Sequence, residues 1–176
     1  MRLEESLPYA RGGDADFLRL EYEKAEASML LILPEPGKFT EVEANLSLEW
    51  LRTSLETTPL QRRQVRLALP RVKMRSEIPL DGVLTSLGLT SAFGPDANWE
   101  ALGSDTVLGE VAQHAELIVD EEGTQATAVT VAGIPLSEAL PLEIISLSFD
   151  RPFLLVISDG DLTRPLFIGR IVDPRS

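Results

Sequence analysis

Residues 123–137, GTQATAVTVAGIPLS, run for fifteen positions without a charge in a chain whose net charge is −12. Read with period two, Thr124, Ala126, Ala128, Thr130 and Ala132 fall on one side, and Gln125, Thr127, Val129 and Val131 on the other. One side is uniformly small; the other is larger but still uncharged. That pattern suits a strand able to slip between two existing strands, because small side chains avoid a packed layer and a buried charge is costly. Gly123 permits a hinge at its base. Beyond it, GIPLSEALP carries Gly and Pro punctuation and reads as an exposed loop, the kind of segment proteases cut. An ordinary strand followed by a surface loop has the same composition, so this run alone decides nothing.

The rest of the chain is a mixture of strands and helices. FLRLEYE (17–23) and SMLLILP (28–34) read as two strands joined by the polar KAEA, with Pro36 and Gly37 closing the hairpin. Phe39, Val42, Leu46, Leu48, Leu51 and Leu55 fall at helical spacing, and NLS (45–47) offers a cap between two short helices. QVRLALP (64–70) alternates as a half-buried strand. Leu80, Val83, Leu84 and Leu87 make a short amphipathic helix stopped by Gly88. Residues 106–122 are expected to be mostly extended, and RPFLLVISDGDLTRPLFIGRIVDP (151–174) to form a buried hairpin. With no internal repeat and no low-complexity linker, the simplest expectation is one α+β unit.

Little catalytic chemistry is on offer. There is no cysteine, which removes disulfides, thiolate metal sites and cysteine nucleophiles together. His114 is the single histidine; no GxSxG elbow accompanies a serine, and a polar residue on a strand is the expected role. The acids Asp120, Glu121 and Glu122 lack the spacing of a calcium loop. No metal and no cofactor is called for. A charge of −12 argues against nucleic acid and anionic membranes, and MLLIL and FLLVI are too short to span a bilayer. The first residues, MRLEESLPYARGG, hold acids where a signal peptide has its apolar segment.

The order of features is more informative. EEGTQATAVTV, the loop IPLSEALP and then FDRPFLLVISDGDLTRPLFIGRIVDP together resemble the serpins. Upstream, LRLEYEKAEASMLLILPEPGKF, LALPRVKMRSEIPL, VLTSLGLTSAF and GEVAQHAELIVDEEGT follow the same family in the same order, so the resemblance covers nearly the whole chain. The hinge EEGT and the closing RPFLLVI…PLFIGRIVDP are its most specific parts.

The resemblance implies an α+β fold of mixed sheets with a few helices, limited to the C-terminal portion of a serpin. As a single partial domain it divides into a strand hairpin region (1–37), helices and strands (38–104), a central-sheet strand (105–122), the reactive-centre loop (123–143) and C-terminal strands (144–176). It implies a serine protease inhibitor, not an enzyme, in which the loop is bait: cleavage gives an acyl-enzyme, and the cut loop inserts into the central sheet. Glu121, Glu122, Gly123 and Thr124 correspond to the hinge, and Ala126, Ala128 and Thr130 to the inward positions of the inserted strand. Gln125 and Thr127 depart from the family's Glu and Ala but remain uncharged. Gln113 and His114 stand where the family often has a His–Lys pair.

For the reactive bond, IPLS points to Leu136–Ser137, whereas counting from the hinge gives Ser137–Glu138; Leu136 is preferred because leucine fills an apolar primary pocket. The implied partners are a serine protease of chymotrypsin, elastase or subtilisin type and the missing N-terminal half. The resemblance matches about half a serpin's usual length, so Met1 is read as an internal methionine of a longer protein. Localisation, extracellular or cytoplasmic, stays open. The 176 residues alone are expected to inhibit little and to associate instead. A non-inhibitory relative (chaperone, carrier or storage protein) is the alternative, and a hydrolase using His114 the rival from another class.

Overall fold

The computed structural model describes residues 1–22, 26–93, 97, 110–120, 143–159, 162 and 164–174. Nine strands and three helices are described, in two compact units: residues 1–71 with 120–176, and residues 72–119. In the first, seven strands form one sheet in the order β7-β4-β1-β2-β3-β8-β9. These are β1 (Arg2–Arg11), β2 (Ala15–Glu21), β3 (Ala27–Pro34), β4 (Gln61–Ala68), β7 (Ile145–Ser148), β8 (Phe153–Asp159) and β9 (Pro165–Ile171). All neighbours are antiparallel except β4 and β7, which run parallel with Val65 opposite Ile145.

The central strands are apolar on both faces, which is why their sequences do not alternate. Leu30 and Ile32 of β3, Phe17 of β2, and Leu154 and Val156 of β8 share one face, where they pack with Val42 and Leu51 from the two helices. Those helices are α1 (Phe39–Asn45) and α2 (Leu48–Thr57). Leu18, Leu31, Leu33, Phe153 and Leu155 point the other way and are also buried. There the rings of Phe149 and Phe153 meet nearly edge to face, 5.0 Å apart. Removing any of these side chains from water is worth about 1.5–3 kcal/mol, so the two faces together anchor the unit.

The helical layer is set locally by its cap. Ser47 is extended, and its Oγ accepts the Trp50 backbone N–H at 3.1 Å, starting α2 where NLS predicts it. Trp50 then packs on Phe17, centroids 5.9 Å apart. Arg170 of β9 reaches Glu43 of α1 at 2.9 Å and lies 6.0 Å from the centroid of the Phe39 ring.

The second unit contains β5 (Val72–Pro79), α3 (Asp81–Ser86) and β6 (Ala112–Val119), with β5 and β6 an antiparallel pair. The helix expected from Leu80 to Leu87 is present, and Gly88 stops it at φ +99°.

Three expectations need correction. The closing hairpin is largely buried only in β8: in β9, last in its sheet among the described residues, Gly169 and Ile171 are buried but Leu166, Phe167 and Ile168 are exposed. The strand expected at 64–70 begins earlier, at Gln61, where its pairing with Tyr9 begins. Residues 2–11, read only for the lack of a leader, form the ten-residue β1. Among the described residues no helix is long and apolar enough to cross a membrane.

Candidate functional site

Residues 121–142, where the resemblance places the bait, lie in sequence between two described strands with different pairing. On the N-terminal side is β6, joined to β5 along its whole length from Val72↔Val119 to Pro79↔Ala112. The start of β6 is fixed to α3 by two hydrogen bonds. Leu80 N–H donates to the Val111 carbonyl at 2.7 Å, and Val111 N–H donates to Asp81 Oδ1 at 2.9 Å.

Register gives this pair two unlike faces. Val72, Met74 and Ile78 lie with Leu117 and Val119 on the apolar face. Lys73, Arg75 and Glu77 lie with His114 and Glu116 on the other, where Arg75 contacts Glu116 at 2.9 Å. This alternation in VKMRSEIP is visible in the sequence as the sign of a strand, and β5, like β1, was not among the expected strands.

On its outer side β6 has no partner strand among the described residues. Its backbone donors and acceptors there can pair with an added extended segment. Ile118, on the polar face, is 56% exposed.

His114 stands opposite Glu77 with Nδ1 3.8 Å from the carboxylate, and both side chains are mostly exposed. It is a solvated cross-strand pair, the polar strand residue expected of it. No group of three His, Cys, Asp or Glu able to hold a metal occurs among the described residues.

On the C-terminal side of the segment is β7, the four-residue edge strand paired with β4. Phe149, just past it, donates its N–H to the Ala68 carbonyl at 2.9 Å and is buried. The chain from Ile145 to Phe149 is thereby tied to the seven-stranded sheet. The residues singled out between these strands, Glu121, Glu122, Gly123, Thr124, Ala126, Ala128, Thr130, Leu136 and Ser137, lie outside the described residues.

Residues 1–174 match the family model described as "Serpin (serine protease inhibitor)". This chain is a serpin family member. Alpha-1-antitrypsin 1-2 of Mus musculus is 32% identical over 152 residues, 84% of this chain and 35% of that serpin. Alpha-1-antichymotrypsin of Pongo abelii is 35% identical over 175 residues, 96% of this chain and 40% of the relative. The chain thus spans well under half the length of these curated serpins. Among solved structures, thyroxine-binding globulin in complex with thyroxine superposes with a TM-score of 0.74 at 27% identity, covering 100% of this chain and 46% of that one. The fold is the mixed-sheet, few-helix arrangement of part of a serpin, as the resemblance implied.

Proposed function

We propose that this chain is the bait-bearing portion of a serpin that inhibits a serine protease. Residues 105–122 then carry a central-sheet strand, β6, and 123–143 are the reactive-centre loop, between the upstream regions 1–37 and 38–104 and the C-terminal strands 144–176. The protease serine Oγ attacks the Leu136 carbonyl carbon. The Leu136–Ser137 C–N bond breaks, the Ser137 amine takes up a proton, and an ester joins Leu136 to the protease. Glu121, Glu122, Gly123 and Thr124 act as the hinge, and Ala126, Ala128 and Thr130 enter the sheet as the small inward positions.

The observation that carries this reading is the uncharged alternating run in direct sequence with β6, whose outer edge has no partner strand among the described residues. A strand with small side chains on one side and no charges can join such an edge without steric or desolvation cost. Leu136 directs the inhibitor to proteases with an apolar primary pocket, of chymotrypsin, elastase or subtilisin type.

The receiving sheet has only β5 and β6 among the described residues, so an inserted strand would have a neighbour on one side alone. The isolated chain should therefore be cut without trapping its protease, and trapping should require a complementary N-terminal half. Incubation with chymotrypsin, followed by N-terminal sequencing and a denaturing gel, tests both points. We expect a new terminus at Ser137 and no denaturant-resistant complex from the chain alone. A complex should form after refolding with the N-terminal half of a serpin relative. A new terminus at Glu138 would move the reactive bond by one residue, and a stable complex from the chain alone would overturn the need for a second half.

The likeness to thyroxine-binding globulin favours a second reading, a carrier that is cleaved without trapping. Thr124, Ala126 and Ala128 argue against it, since a hinge with small, uncharged residues retains the means to insert. Cleavage without complex even in the refolded pair would select the carrier.

A further inference from the structure

The NLS that caps α2 carries a second pattern. Asn45, Leu46 and Ser47 are an asparagine, a residue other than proline and a hydroxyl residue, the acceptor pattern for an asparagine-linked glycan. The chain has two asparagines, and Asn98, followed by Trp99 and Glu100, lacks the pattern. The cap accounts for the serine, whose Oγ accepts the Trp50 N–H at 3.1 Å. It does not account for the asparagine two residues before it.

The fold presents the three residues as an acceptor must be presented. A bulky, hydrated glycan requires a surface position. Asn45 is the last residue of α1 and is exposed, and its side-chain amide makes no hydrogen bond among the described residues. After it the helix stops: Leu46 turns to φ −60°, ψ 108° and Ser47 to φ −146°, ψ 164°, so both follow Asn45 in extended backbone. Leu46 packs on the core that Val42 and Leu51 share with the sheet, while Asn45 and Ser47 on either side of it are exposed. A glycan on Asn45 therefore displaces no core side chain. Ser47 Oγ accepts from Trp50 only once α2 has formed, so in the unfolded chain that hydroxyl is available to a transferase.

We propose that Asn45 is the acceptor of an N-linked glycan, with a lipid-linked oligosaccharide diphosphate as the donor. In the transfer the Asn45 amide nitrogen bonds to the anomeric carbon of the first sugar. The bond from that carbon to the diphosphate oxygen breaks, and the lipid diphosphate leaves with the electron pair. One amide proton passes to a base of the transferase. The proposal does not depend on how the bait loop works.

Cell-free translation of the full chain behind a cleavable signal peptide, with and without rough microsomes, tests it. With microsomes we expect a slower band on a denaturing gel. Peptide N-glycosidase should return that band to the position of the chain made without microsomes, converting Asn45 to the acid and so marking the site by mass. Asn45→Gln should lose the slower band entirely, and Ser47→Thr should keep it. Ser47→Asp separates the two roles of the serine, because aspartate caps a helix about as well but does not complete the acceptor pattern. It should melt close to the parent and carry no glycan. No slower band from the parent, a band that survives Asn45→Gln, or one equally strong in Ser47→Asp would each overturn the proposal.

Discussion

In the turn between β1 and β2, Gly12 donates its N–H to the Ala15 carbonyl oxygen at 2.9 Å. A Cβ at Gly12 would sit 2.9 Å from that same oxygen and 3.0 Å from the Phe17 ring, so neither backbone nor core can yield cheaply. The adjacent Gly13 has nothing within 4 Å of its would-be Cβ. Gly12→Ala should destabilise the protein by about 1–3 kcal/mol, while Gly13→Ala stays within about 0.5 kcal/mol. Urea midpoints of the two variants, measured side by side, check this; equal midpoints would refute it. Close by, the Tyr9 hydroxyl donates to Asp16 Oδ1 at 2.6 Å. Burial, then that bond and the Asp16 charge, raise the Tyr9 pKa well above its ordinary 10.0. The unfolded chain therefore loses this proton first, so the stability Tyr9 contributes is complete below about pH 10 and is lost as pH rises toward the folded value. Tyr9→Phe should cost about 1–2 kcal/mol at neutral pH, with the gap to the parent narrowing above about pH 10. A gap constant from about pH 8 to pH 11 would remove the linkage. Tyr22, also raised by burial, is present in both proteins and leaves a shared alkaline decline.

At the level of elements, the same Ser47 hydroxyl that marked a helix start in the sequence is the cap seen in the structure. Ser47→Ala should cost about 1 kcal/mol, read as a lower melting temperature. Glu49→Gln, in the same first turn but making no cap, should cost less, by a few tenths of a kcal/mol. If both changes shift the melt equally, the cap is not what starts α2. The central strands were legible for a comparable reason: a run such as SMLLILP has nowhere to be but buried on both faces, and β3 is. β1 was not legible, because Glu5 interrupts its alternation and Pro8 argues against a strand. The structure tolerates both, since β2 pairs only with Tyr9, Ala10 and Arg11. From Arg2 to Pro8, β1 keeps one ladder, with β4, and behaves as an edge. β9 failed in the opposite sense: PLFIGRI looks like a core strand, but composition does not reveal that it stands last in its sheet among the described residues. For the candidate site, the uncharged alternation of residues 123–137 is a local pattern, and the hinge and bait roles came only from the resemblance that surrounds it. That β6 has one partner strand among the described residues depends on which strands are elsewhere, and no local pattern encodes it.

For the whole molecule, two opposed forces govern association. The net charge of −12 makes copies repel, while the exposed apolar side chains favour contact. In the larger unit these include Leu166, Phe167, Ile168 and Val172, on or beside β9, together with Leu48 and Ile144, and in the smaller one they include Leu87 and Ile118. An edge strand with such side chains and few charges is a template for pairing with another chain, and β9 has only Pro165 at its start and Arg170 near its end to discourage it. Added salt screens the repulsion, with a Debye length of about 30 Å at 0.01 M falling to about 3 Å at 1 M, and leaves the apolar attraction. Association should therefore increase with salt, opposite to what ion-paired contacts between copies would give. Ile168, at 62% exposure, can be replaced without emptying the core, so Ile168→Lys should reduce association while leaving the melting temperature nearly unchanged. Sedimentation velocity of the parent and Ile168→Lys chains at low and high salt distinguishes the cases. Salt-induced dissociation of the parent would mean that charge pairs, not apolar edges, join the copies. Unchanged association in Ile168→Lys would move the contact away from β9, to other exposed apolar side chains such as Leu48, Ile144 or those of the smaller unit.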